Sequence, residues 1–145
     1  MIVNKNAKRK YVVTDKLVAG VVLSGAEVKS LRAGRGSLRD SHAKFVNGEL
    51  FLLGADIPKY ANYSGKAEYD SKRSRKLLVK KNEMDKWLRK IDGKNLTLVP
   101  LRMFFQGRWV KCEIGVGKGK KEYEKREDLK KRTIKREIAK AMKKE

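Results

Sequence analysis

One cysteine, Cys112, and one histidine, His42, are all that the 145 residues offer of the side chains that most often bind metals or move protons near neutral pH. A lone cysteine excludes an internal disulfide and a cysteine-rich zinc site, and a lone histidine removes most metal and acid-base schemes. There are two prolines, Pro58 and Pro100; inside a strand pattern, each should mark an edge or a bend, because proline cannot donate a ladder hydrogen bond. No apolar run approaches the roughly 20 residues that span a bilayer. The N-terminus MIVNKNAKRK has no signal-peptide core, so the expectation is a cytosolic chain with no membrane partner. Acidic residues are also scarce, 17 against 38 Lys plus Arg, for a net charge of +21. Self-repulsion on that scale works against compactness and points to a polyanionic partner, nucleic acid first. The excess is not confined to one appendage: residues 120–145 hold 12 basic and 6 acidic residues, leaving 26 and 11 ahead of them.

The length suits one domain with a real core. Residues 24–35, SGAEVKSLRAGR, read as a short helix. Ser24 with Glu27 forms an S-x-x-E capping box, Leu23 and Val28 stand as a hydrophobic staple, and Gly34 supplies the stop. Val28 and Leu31 make the buried stripe, while Lys29 and Arg32 place two cations on a neighbouring face. Ahead of it, residues 1–10 read as an extended basic arm that docks on something rather than a core element. Two short strands follow, 11–14 and 19–23, split by Asp15-Lys16. Residues 42–46 and 49–53 flank Asn47-Gly48, a strong hairpin signal because both turn residues tolerate positive φ. Residues 57–60 should extend the sheet at an edge, and 61–71 read as a loop.

Cations at Lys72, Arg73, Arg75, Lys76, Lys80 and Lys81 crowd around Leu77, Leu78 and Val79; phosphate contact or a solvated face both fit, and the density favours phosphate. Asn82 opens a helix whose buried face is Met84, Trp87, Leu88 and Ile91, closed by Gly93. Residues 95–105 form a long strand bent at Pro100, Gln106-Gly107 turns the chain, and Val110, Cys112, Ile114 and Val116 alternate inward. Six or seven short strands with two or three helices argue for a small antiparallel β-barrel with peripheral helices. Too few helices exist to cross over a parallel sheet. From Gly117 the strand pattern ends. The stripe of Leu129, Ile134, Ile138 and Met142 is too thin to offset the ordering entropy, so a tail disordered alone and helical when bound is expected.

Catalytic inventory is poor. Asp40, Ser41 and His42 offer a carboxylate, a hydroxyl and an imidazole, but adjacent strand residues point to opposite faces and cannot converge. Cys112 lies on the apolar phase, which favours core packing. Gly115, Gly117 and Gly119 are not placed between a strand and a helix, and GKGKK lacks the Walker spacing, so the usual phosphate-cradling sites are excluded. Glu27 can cap its helix, face a ligand, or both; Asp40 and Glu49 read as turn and hairpin residues. Trp87 reads as core. Trp109, on the wet phase beside Arg108 and Lys111, fits base stacking or partial burial under a helix or the tail equally.

The strings GAEVKSLRAG from Gly25, Asp40-Ser41, Gly48-Glu49, PKY ending at Tyr60, RSRKLL from Arg73, LVPL from Leu98 and GKGKKEYEKRE from Gly117, taken in order over nearly the whole chain, closely resemble SmpB, the tmRNA-binding protein family of bacterial trans-translation. The resemblance implies a barrel related to the OB-fold in residues 1–119, and a ribosome-binding tail in 120–145. It implies no enzyme activity, cofactor or metal. The implied action is to bind the tRNA-like domain of tmRNA, deliver it to stalled ribosomes and stand in for the anticodon stem and codon pairing. The ribosome, at its decoding centre and 16S rRNA, is then a second partner, elongation factor Tu enters only indirectly through the delivery complex, and the chain acts as a monomer. By motif match, Glu27, Lys29 and Arg32 face the RNA with Asn4, Lys5 and Arg9 of the arm, and Arg73, Arg75 and Lys76 from the basic cluster. RNA read by shape and splayed bases suits a carboxylate among cations. Lys118, Lys120, Lys121, Lys125 and Arg126 would contact ribosomal phosphates, and Tyr123 would stack at the decoding centre. Glu124-Lys125-Arg126 departs from the family's usual Asp-Lys-Arg, Ser71 replaces a usual proline, and Trp109 matches none of these motifs. A constitutive structural ribosomal protein is the alternative reading, and an RNA-modifying enzyme a distant third.

Overall fold

The structure, a computed structural model, describes residues 1–60, 69–91 and 94–119. Among these residues are seven strands, β1 (Ile2–Val3), β2 (Tyr11–Val21), β3 (His42–Val46), β4 (Glu49–Leu53), β5 (Arg75–Leu78), β6 (Thr97–Gln106) and β7 (Trp109–Gly119), and three helices, α1 (Ala7–Lys10) between β1 and β2, α2 (Gly25–Arg32) between β2 and β3, and α3 (Lys81–Ile91) between β5 and β6. All strand pairs are antiparallel. The order is β1-β6-β3-β4-β5-β2-β7 with β6 also paired to β7, so the pairings that leave β6 through β3 return to it through β7. The inward phase carries Leu50, Leu52, Leu77, Leu98, Met103, Ile114 and Val116, each at most 3% exposed. Cys112 lies among them, and burial pushes its thiol up to about 12, which leaves it an uncharged core side chain at neutral pH.

The β3–β4 hairpin turns at Asn47 and Gly48, whose φ of 50° and 77° are those a two-residue primed turn demands. Pro100 sits where β6 slips register against β7, between Pro100 and Arg102, as the missing donor predicts. Trp87 is the buried anchor of α3, with Met84, Leu88 and Ile91 half-buried around it. The helix starts one residue before Asn82, whose Oδ1 accepts the Glu83 amide at 2.9 Å.

Several expectations are corrected. Residues 11–14 and 19–21 belong to a single strand, β2, which ends at Val21 short of the expected 23; Asp15 and Lys16 need not interrupt a ribbon with one wet face. A register shift between Val13 and Asp15 takes up the irregularity, and Lys90 of α3 pairs with the Asp15 carboxylate. Strand β7 continues past Val116 to Gly119, which pairs with Tyr11, and glycine at 117 leaves room for the tyrosine, since a Cβ there would come within 2.9 Å of the tyrosine's own Cβ. The chain turns at Gly107 and Arg108, since Gln106 already pairs with Trp109. Residues 57–60 form no strand: Ile57 donates to the Ser71 carbonyl at 2.9 Å, and the Pro58 carbonyl accepts from the side-chain hydroxyls of Ser30 at 2.6 Å and Tyr69 at 3.2 Å rather than from a neighbouring strand. The expected loop falls largely, and Gly93 and the tail 120–145 wholly, outside the described residues.

The N-terminal arm is part of the sheet. Ile2 and Val3 pair with Met103 and Arg102, Ile2 joins the core, and Asn4, 9% exposed, donates from Nδ2 to the Pro100 carbonyl at 2.8 Å. Two residues of strand cannot hold themselves; the asparagine clamps them to β6. Asn4→Ala strands the Pro100 carbonyl beside a buried void and should cost about 1–3 kcal/mol, read as a lower urea midpoint. An unchanged midpoint would show that the clamp contributes nothing.

Candidate nucleic-acid interface

Helix α2 is held at both ends by its own sequence. Ser24, extended at φ −75° and ψ 162°, accepts the Glu27 amide at 3.3 Å while the Glu27 carboxylate accepts the Ser24 amide at 2.8 Å, completing the box. At the other end Gly34, φ 75°, donates to Leu31 and Arg35 donates to Ser30, both at 3.0 Å, which is the paired pattern of a Schellman stop. The buried face is Glu27, Ser30 and Leu31, with Val28 half-buried. This is the expected stripe rotated toward Glu27.

That rotation places the carboxylate inside. Glu27 is 0% exposed. Its Oε1 also accepts from Arg73 Nη2 at 2.5 Å, and its Oε2 accepts from Arg75 Nε at 2.7 Å and lies 2.6 Å from Arg75 Nη2. Arg75, likewise 0% exposed, gives its remaining donors to the carbonyls of Ala55, Arg73 and Ser71 at 2.8 to 3.0 Å. Burial would raise the Glu27 carboxyl, but the Arg73 hydrogen bond, the Ser24 amide and the Arg75 charge outweigh it and hold the group below the usual glutamate range. With both oxygens occupied, Glu27 and Arg75 are out of reach of a surface ligand; they position what surrounds them. Asn4 is committed to β6 in the same way.

The outer surface is cationic. Lys29 and Arg32 are exposed on α2, Lys29 Nζ 5.9 Å from the centre of the Tyr60 ring and the Arg32 guanidinium 5.1 Å from that of Phe105. Arg73 is half-buried and bridges the cluster to solvent. Lys5 and Arg9 are exposed. Their segment is tied to the loop after α2 by the Lys10–Asp40 pair at 2.6 Å, and Ile2 fills the space where Gly36 has no side chain. The N-terminal cations and α2 therefore hang on joined elements. Lys76 is not gathered in: it points away from the Arg75 side of β5 and pairs with Glu49 at 3.3 Å. Lys118 is exposed near the end of β7; Lys120, Lys121, Tyr123, Lys125 and Arg126 lie outside the described residues. The contacts of Tyr60 and Phe105 with these cations leave no mark in the sequence, because a ring's cation partner stands on another element. The phase of β5 was available: Arg75 and Leu77, two apart, share the inward face. Among Asp40, Ser41 and His42, Ser41 donates to the Leu38 carbonyl and Asp40 takes Lys10.

Removing one partner from a buried ion pair leaves the other charge unmatched. Glu27→Ala should therefore cost about 3–5 kcal/mol at pH 7, and Glu27→Gln less, in urea titrations. Because the folded pKa lies below the ordinary 4.5, the glutamate's contribution is full above that value and is lost as pH falls through the folded value. The gap between wild type and Glu27→Gln should accordingly narrow on acidification, and a gap constant from pH 7 to 3 would contradict the assignment.

The family profile described as "SmpB protein" matches residues 1–144. The chain is 46% identical over 140 residues to an SsrA-binding protein of Microcystis aeruginosa, covering 97% of this chain and 91% of that one. It is 48% identical over 138 residues to an SsrA-binding protein of Salinispora arenicola, covering 95% and 86%. In structure it is similar to a chain solved under the description "tmRNA-SmpB: a journey to the center of the bacterial ribosome", with a TM-score of 0.68, 40% identity, and coverage of 83% of this chain and 84% of that one. The profile match over almost the full length, on a chain whose α2 carries a closed capping box over a buried Glu27–Arg75 pair, makes this chain a member of the SmpB family.

Proposed function

We propose that this protein binds the tRNA-like domain of tmRNA and carries it to stalled ribosomes in trans-translation, with residues 120–145 engaging the decoding centre and its 16S rRNA. The observation that carries the reading is the α2 surface: Lys29 and Arg32, each beside an aromatic ring, on a helix locked from beneath by Glu27, Arg73 and Arg75. RNA helices are recognised by backbone, 2′-hydroxyls and shape rather than by a readable deep groove, and a rigid row of cations suits that task. Lys5, Arg9 and the exposed edge of Arg73 extend the row. Asn4, Glu27 and Arg75 act by positioning it. The pairings that leave β6 and return to it support a small OB-like barrel as the platform. The action is binding and shape mimicry, not catalysis, by a monomer that meets elongation factor Tu only through the RNA it carries. Among the described residues no helix is long and apolar enough to cross a membrane.

Two measurements test the division of labour. Deleting residues 120–145 should leave tmRNA affinity nearly intact in filter binding while abolishing tagging of stalled nascent chains; loss of RNA binding on deletion would show that the tail is part of the first site. Arg32→Ala should lower the salt slope of tmRNA binding by roughly 0.7 to 0.9, the value of one phosphate contact, whereas an unchanged slope would remove Arg32 from the interface.

A further inference from the structure

A second surface lies beside the row of α2 cations, where β2 passes from β7 to β5. Gly20 pairs with Lys111 on one side and Leu78 on the other, and directly opposed residues of paired strands share a face. With no side chain of its own, Gly20 leaves a depression among Val22, Leu78, Trp109 and Lys111. The resulting groove encloses about 460 Å³. Its walls are apolar and wet: Trp109 is 68% exposed, Leu78 54% and Val22 44%. The Arg108 guanidinium stands 6.0 Å from the centre of the Trp109 ring. The groove adjoins the interface described above, because Val28 of α2 lines it and Arg73 Nη2 reaches the Val22 carbonyl at 3.4 Å.

Such a groove offers a flat aromatic face, an apolar floor and a cationic rim on a chain of net charge +21. A hydrophobic peptide or a second copy of this chain would use the floor but not the rim, and a second copy would bring its own cations against Arg108 and Lys111. A nucleotide uses all three, since its base has an apolar face and its phosphate a negative charge. We propose that this groove receives one unpaired nucleobase of an RNA single strand, stacked on Trp109, with Arg108 and Lys111 holding the adjoining phosphates. The inference rests on and deepens the RNA-binding reading above by adding a site for unstacked bases next to the α2 cations.

The experiment uses the full chain with a short unstructured oligoribonucleotide, a duplex of the same sequence, and tmRNA. The other tryptophan, Trp87, is only 5% exposed, so quenching of tryptophan emission by the single strand reports Trp109. Trp109→Ala, checked for wild-type circular dichroism, should weaken single-strand binding roughly 5- to 150-fold, the range of one base–aromatic stack. The salt slope should be unchanged, Trp109→Phe should retain most of the affinity, and duplex binding should not move because its bases are already stacked. Unchanged single-strand affinity in Trp109→Ala, or an equal loss on the duplex, overturns the proposal. So does a concentration-dependent mass that Trp109→Ala abolishes with RNA affinity intact, which would place a second copy in the groove. If tmRNA still binds while Trp109→Ala changes nothing, this inference alone falls; if the wild-type chain binds no RNA at all, the functional reading falls with it.

Discussion

The buried pair of Glu27 and Arg75, with Arg73 at its edge, is the constraint on which the placement of α2 depends. One carboxylate caps its own helix, meets two guanidinium groups of the chain entering β5, and through Arg75 fastens the backbone at Ala55 and Ser71. Desolvating these charges is costly, and a well-packed apolar replacement of equal volume often folds as well or better. What the ionic version supplies is direction. Five donors on a planar fork accept few arrangements, so helix, strand and two connecting segments are held in one relative position. A cationic helix face is useful for recognition only if it is rigid.

The same arrangement sorts the charge. Glu27, Asp15, Asp40, Glu49 and Glu113 each meet a lysine or arginine of another segment. These five acids are thus drawn into internal or surface pairing, and the surplus cations are left facing water, where their field acts at long range on a polyanion. Several of those cations lie over aromatic rings: Lys29 on Tyr60, Arg32 on Phe105, Arg102 on Phe104 and Arg108 on Trp109. A ring beneath a guanidinium limits its motion through the quadrupole of the π face, and it also offers a flat surface within reach of the same ligand.

Much of the local structure was legible in the chain alone. The Ser24–Glu27 box, the Gly34 stop, the Asn47-Gly48 turn, the irregularity at Pro100 and the inward phase of Val110, Cys112, Ile114 and Val116 are all carried by residues within a turn or a few strand positions of one another. Short-range backbone preferences and side-chain periodicity suffice for them. Family membership was legible for a related reason, since ordered motifs over most of the chain carry more information than composition.

Only the tertiary structure decided what the charged residues face. Glu27 finds its partners 46 and 48 positions away, Asn4 reaches across 96, and Asp15 meets Lys90 across 75. Helical spacing left Glu27 open between cap and ligand contact, and charge density grouped Arg75 with Lys76 although strand alternation sends them to opposite sides. The arm that looked free of the core became a strand once β6 offered it an open edge. Periodicity fixes the phase of each segment, but the partner of a buried charge is chosen by which strands lie side by side and in what register, and that is settled only when the whole sheet assembles on its core.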